Sequence, residues 1–124
     1  MNLLLDTNVL LWWLDASPRL SSRMRTVIQE SRVTYVSVVT IWEVGIKASV
    51  GKLEFHGDME RQLALNGFVA LNITVTHAIA AGRLPRHHRD PFDRMLVAQA
   101  AIESLTLVTS DAALKAYDVP VILA

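Results

Sequence analysis

The sequence predicts an α/β domain on a mainly parallel sheet. Two observations carry this. Five short apolar runs, at 3–5, 33–38, 68–73, 105–109 and 119–123, alternate with segments of helical period. The chain has 124 residues, 52% of them hydrophobic, which is the size and composition of one domain, residues 1–124, with a sizeable core.

The elements follow in order. Leu3, Leu4 and Leu5 read as a buried first strand, and 7–14 as a helix broken by Ser17 and Pro18. Ser21 can cap a second helix running to about Glu30. Residues 33–38 are rich in β-branched side chains and read as strand. A helix is expected over 40–50, with Gly51 suited to the position just past its end. Residues 58–66 repeat that design, followed by Gly67. Residues 68–73 read as a third strand. Thr76 is expected to cap a short helix ending near Gly82, with His77 at the helix start. Residues 84–90 read as loop, 92–104 as a long amphipathic helix, 105–109 as a fourth strand, 112–117 as helical and 119–123 as the last strand.

Composition excludes several classes of function. Twelve basic residues balance twelve acidic ones, so net charge gives no drive toward non-specific nucleic-acid binding, and any basic surface must be local. The absence of Cys rules out disulfides and thiolate metal sites. No apolar run approaches the ~20 residues that span a bilayer, and the N-terminus lacks a basic leader. The expectation is a cytoplasmic protein without membrane contact.

The acids fall where a parallel sheet gathers them. Asp6 directly follows the first strand, and Asp111 follows the fourth with two residues between it and Val108. Glu43 and Asp93 are expected in the first turns of the helices after the second strand and the loop. Ligands in open α/β sheets bind just outside the carboxyl ends of the strands. Capping alone explains each acid taken singly: Thr40 to Glu43 reads as a capping box, and Asp90 followed by Pro91 reads as N-cap and N1. Together, four converging carboxylates have another use. Phosphodiester cleavage spreads negative charge over attacking, leaving and phosphoryl oxygens. Hard cations, which prefer carboxylate oxygen, can stabilise that charge.

Four stretches carry a resemblance: Leu4-Leu5-Asp6-Thr7-Asn8, the run from Ser37 to Glu43, the run from His88 to Leu96, and Thr109-Ser110-Asp111. In order and spacing they are similar to PIN-domain proteins, in particular the VapC-like toxins of bacterial type II toxin–antitoxin pairs. The resemblance implies a three-layer α/β/α fold and metal-dependent ribonuclease activity. It also implies homodimerisation and a VapB-like antitoxin that blocks the active site. It maps the metal-holding, catalytic acids onto Asp6, Glu43, Asp93 and Asp111, with Mg²⁺ or Mn²⁺ as cofactor. Thr7, Asn8 and Thr109 are expected to hydrogen-bond around those acids. Asp90 admits two roles, N-cap or metal ligand, and Pro91 immediately after it favours the cap.

Arg86, Arg89 and Arg94 flank the Asp90–Asp93 turn and are candidate contacts for RNA phosphates. Arg94 can alternatively pair with an acid. Zinc at His87 and His88 is not expected, because adjacent residues rarely ligate one ion. Trp12, Trp13 and Trp42 can stack bases or pack. As chain neighbours, Trp12 and Trp13 are not expected to face the same core, so one is expected on a partner surface. Two other functions compete. A phosphotransferase of the haloacid-dehalogenase type would use Asp6 as nucleophile, but Asn8 stands where a second Asp belongs. A non-catalytic module would use the PIN scaffold only to hold RNA or a protein.

Overall fold

A computed structural model describes residues 1–124. Strands β1 (Asn2–Leu5), β2 (Val33–Ser37), β3 (Val69–Leu71), β4 (Thr106–Thr109) and β5 (Val121–Leu123) form one sheet in the order β3-β2-β1-β4-β5. Every neighbouring pair is parallel. The helices are α1 (Thr7–Leu14), α2 (Ser22–Glu30), α3 (Val38–Ser49), α4 (Met59–Leu65), α5 (Val75–Arg83) and α6 (Pro91–Glu103), with a short 3-10 helix at Ala112–Ala116.

The three-layer arrangement follows from strand periodicity. Successive side chains of a strand point to opposite faces. Leu3 and Leu5 therefore pack with Val9 and Leu10 of α1, Met24 and Ile28 of α2, and Leu63 of α4. Leu4 packs on the other face with Val39 of α3, Leu96, Val97 and Ala100 of α6, and Leu114. All three leucines are fully buried. Each such burial is worth roughly 1.5–3 kcal/mol. This two-sided burial is why β1 reads as an unbroken apolar run and not as an alternation. Helix α5 packs against α6.

Topology then positions the site. The chain leaves central β1 for β2 and β3 on one side and returns to β4 and β5 on the other. The order reverses between β1 and β4, which is where open α/β sheets leave a crevice. Leu5 pairs with Val108 and the Asp6 N–H donates to the Val108 carbonyl at 2.9 Å, so Asp6 lies beside Thr109 at that crevice.

Several expected boundaries move. Helix α3 begins at Val38, because the Ser37 hydroxyl accepts the Val39 N–H at 3.1 Å and caps the helix at the strand's end. Thr40 is therefore a buried interior residue, and the expected Thr40–Glu43 capping box does not form. Glu43 lies beyond the first turn. The cap of α5 is Thr74, not Thr76. Its hydroxyl accepts the His77 N–H at 3.1 Å, while His77 Nδ1 accepts the Thr74 N–H at 3.0 Å. The third strand is shorter than 68–73, and β2 ends one residue early. Gly51 and Gly67 take φ of 75° and 68°, as residues just past helix ends do.

Trp12 and Trp13 correct another expectation. Both pack, half-buried, against the same core. Trp13 lies 5.6 Å from Phe68 between ring centres, and its Nε1 donates to Asn66 at 2.9 Å. The tryptophan left in solvent is Trp42, 64% exposed and edge-on to Phe92.

Candidate metal centre

Five carboxylates meet at the carboxyl edge of the sheet. Asp6, Glu43, Asp90, Asp93 and Asp111 line a cavity of about 230 Å³, together with Thr7, Asn8, Lys47, His88 and Ser110. The four acids the sequence singled out are thus together in one pocket. No apolar side chain lines it.

Asp6, Asp90 and Asp111 are set by local backbone N–H groups, Glu43 by side chains. Asp6 caps α1: its Oδ1 accepts the Val9 N–H at 2.9 Å. Its Oδ2 accepts the Thr109 hydroxyl at 2.5 Å and the Ser110 N–H at 3.2 Å. Thr109 in turn accepts the Asp111 N–H at 3.0 Å, so one hydroxyl ties the two strand-end acids together. Asp111 caps the 3-10 helix through the Ala113 N–H at 2.9 Å. Glu43 projects from the second turn of α3. Its Oε1 accepts the Thr7 hydroxyl, and its Oε2 lies 2.7 Å from the Lys47 ammonium. Asp90 is the N-cap of α6, its Oδ1 accepting the N–H groups of Phe92 at 2.8 Å and Asp93 at 3.3 Å, with Pro91 in the first turn. That geometry satisfies the capping role. Asp90 also lines the pocket, so its charge is part of the site. Asn8 is exposed at the pocket wall.

Crowding shifts the titration of these groups. Burial, then the charges of Asp90 and Asp6, push Asp93 up to about 7, with His88 opposing. Burial also raises Asp6, against the hydrogen bonds from Thr109, Val9 and Ser110. Asp111 is lowered by the His88 hydrogen bond. Lys47 is raised by its bond to Glu43 and stays charged.

Two residues that sequence reasoning did not place here complete the pocket. His88 Nε2 lies 2.7 Å from Asp111 Oδ2 and 3.5 Å from Asp93 Oδ2. Its Nδ1 accepts the Asp90 N–H at 3.0 Å, so Nε2 is the nitrogen that donates to Asp111. The His88 N–H donates to the Tyr117 hydroxyl at 3.0 Å, fixing the loop. Lys47 had a signal in the sequence, since it stands four residues after Glu43. His88 had only its nearness to Asp90.

The basic residues divide. Arg86 and Arg89 are exposed and border, with His88, Gly82 and Arg94, a cleft of about 560 Å³ that meets the acid pocket at His88. The Arg94 guanidinium is committed elsewhere. It donates to the carbonyls of Ala81, Leu84 and Pro85 at 3.0–3.1 Å, and more distantly to His88 O and Tyr117 Oη. Arg94 straps the 84–88 loop onto α6 and pairs with no acid. That structural role takes the place of the expected free phosphate contact.

The donor set suits a hard divalent cation. Carboxylate oxygens dominate, and one nitrogen and two carboxylate oxygens, from His88, Asp93 and Asp111, lie within 4.8 Å of one another. Buried like charges whose ionisation is opposed by one another are what a bound cation relieves. A larger cavity of about 370 Å³, between Trp13, Arg32, Asn66 and Phe68, contains no acid and offers nothing comparable.

The fold is a parallel three-layer α/β/α sandwich with carboxylates at its switch point. Residues 3–120 match the family model described as "PIN domain", and the chain belongs to the PIN-domain family. No curated protein sequence matches it. Its fold is similar to that of VapBC2 from Rickettsia felis, solved bound to a promoter DNA fragment. That match has a TM-score of 0.77 at 15% identity and covers 99% of this chain and 98% of the other. A toxin–antitoxin complex from Klebsiella pneumoniae matches with TM-score 0.70 at 23% identity, covering 96% and 94%. FitAcB from Neisseria gonorrhoeae matches with TM-score 0.71 at 23% identity, covering 97% and 96%.

Proposed function

We propose that this protein is a divalent-metal-dependent ribonuclease and the toxin half of a toxin–antitoxin pair. The observation that carries the reading is the convergence of Asp6, Glu43, Asp93 and Asp111 on one polar pocket at the switch point of a PIN fold. These four acids are the residues that hold Mg²⁺ or Mn²⁺, directly or through water. The bound ion supplies a Lewis acid for phosphoryl oxygen and lowers the pKa of the attacking water.

The chain's own groups do the rest. Thr109, Ser110 and Val9 fix both oxygens of Asp6, so its orientation is set before any ligand arrives. Thr7 does the same for Glu43. Asn8, exposed beside the N-terminus of α1, offers an amide to a substrate oxygen at a helix end that favours anions. Arg86 and Arg89 hold RNA phosphates along the adjoining cleft.

The toxin–antitoxin complex from Klebsiella pneumoniae among the similar folds supports a protein antitoxin as partner. Exposed apolar side chains are available for it and for a second copy of the chain: Trp42 and Ile46 on α3, Val50 just past its end, Val75 and Ile79 on α5. No helix is long and apolar enough to cross a membrane. An RNA substrate puts the proposed action in the cytoplasm.

The test is cleavage of a mixed RNA pool by purified, antitoxin-free protein in EDTA, Mg²⁺ or Mn²⁺. Cleavage with either metal and none in EDTA is expected. Folded protein that cuts no RNA under any metal would point to a narrow substrate absent from the pool or to the binding-module reading.

A further inference from the structure

Lys47 has so far no part in the chemistry. It stands one turn beyond Glu43 on α3, and its ammonium lies 2.7 Å from Glu43 Oε2. A Glu–Lys pair four residues apart on a solvated helix face contributes little and calls for no function. This pair differs from that case. The Glu43 side chain is only 6% exposed, so Lys47 neutralises a buried carboxylate while remaining 41% exposed itself. The Thr7 hydroxyl donates to Oε1, and Lys47 covers the other oxygen, Oε2.

A divalent ion held by Glu43 would share its carboxylate with the Lys47 ammonium. Two cations at one carboxylate would repel, and the mobile one would leave. Lys47 is the mobile one, a charge on a flexible four-carbon stem at the wall of the pocket. Once released it remains anchored on α3 beside the carboxylates. The pocket then has a cation on its α3 side and, past His88, the Arg86–Arg89 cleft. The complementary ligand for an ammonium poised there is a non-bridging phosphate oxygen.

Resting on the nuclease reading above, the geometry points to Lys47 as a substrate-binding residue. Displaced from Glu43 when the carboxylates take their divalent ion, it binds a phosphate of the RNA next to the scissile bond. The same displacement makes Lys47 a competitor of the metal in the RNA-free protein.

The test compares wild type with Lys47→Met, which keeps the stem and removes the charge, and with Lys47→Arg. Mn²⁺ affinity is measured by calorimetry without RNA. Binding of a short single-stranded RNA in Mn²⁺ is followed by anisotropy against salt, beside KM and kcat. Lys47→Met is expected to bind Mn²⁺ severalfold tighter and to raise KM severalfold with little change in kcat. It should also lower the salt slope of RNA binding by about 0.7, the value for one phosphate contact on a single strand. Lys47→Arg should restore KM and slope. Wild-type Mn²⁺ affinity in Lys47→Met, or an unchanged salt slope, would overturn the inference and leave an ordinary helix pair. A wild-type protein that cleaves no RNA would contradict the nuclease reading instead, and the Mn²⁺ and anisotropy arms would still decide the role of Lys47.

Discussion

The two edges of the sheet make opposite use of the same architecture. At the carboxyl edge, strand ends give way to helix starts within three residues, and carboxylates surround a cavity of about 230 Å³ there. At the amino edge, a larger cavity of about 370 Å³ is walled by Trp13, Ile28 and Phe68, and no acid lines it. Trp13 bonds Asn66, and the Arg25 guanidinium lies 5.6 Å over the Trp13 ring. The smaller cavity gathers carboxylates whose charges oppose one another. The larger one has no acid. The two cavities differ in electrostatics, not only in volume.

Substitutions can break that contrast, beginning with the largest effect. Asp93→Asn should lower RNA cleavage by on the order of 10²–10³, the usual loss when one preorganised charge-stabilising group goes. Circular dichroism should show the fold intact, since the change removes a charge that burial and Asp90 oppose. Trp13→Ala at the other edge should do the reverse. It should cost about 3 kcal/mol in denaturant unfolding, the low end for an aromatic truncation because the ring is half-buried. Activity per folded molecule should be unchanged. Loss of both would mean the two edges are not independent.

Smaller effects sharpen the picture. Arg86→Ala with Arg89→Ala should weaken RNA binding and reduce its salt slope by roughly 0.7 for each phosphate no longer neutralised, leaving metal affinity alone. An unchanged slope would remove the basic cleft from the RNA path. The acid pocket also predicts a pH dependence. The folded-state pKa of Asp93, about 7, is above its unfolded value of 3.8, so the folded protein binds the extra proton. The stabilisation this gives is full below 3.8 and is lost as pH rises through about 7. Asp111 is shifted the other way, and its window lies below its ordinary range. Metal-free protein should therefore melt lower at pH 8 than at pH 6, with a flatter profile for Asp93→Asn. A wild-type profile as flat as the variant's would contradict the crowding.

Much of this was legible in the sequence where local rules decide. Three leucines ending in Asp6 announce a buried strand and its junction, and Asp90-Pro91 announces a helix start. The failures occur where tertiary structure overrides local preference. Ser37-Val38-Val39 looks like strand because two β-branched residues follow the serine, yet Ser37 caps α3 and carries Glu43 beyond the first turn. Thr74 wins the cap of α5 over Thr76 because His77 answers it from the N3 position, a role more often taken by Glu or Gln. Arg94 appears as surface charge in the sequence. Only the folded 84–88 loop brings backbone carbonyls around it. His88 reaches Asp111 across 23 residues, a contact no local pattern encodes.

The most direct test is RNA cleavage followed across a Mn²⁺ titration, wild type beside Asp6→Asn. Asparagine keeps the helix cap and the shape while removing one central charge. Saturable, Mn²⁺-dependent cleavage is predicted in the wild type, with loss of both turnover and tight Mn²⁺ dependence in the variant. Equal cleavage by the two proteins, or wild-type cleavage that persists in EDTA, would contradict a carboxylate-held metal at this site.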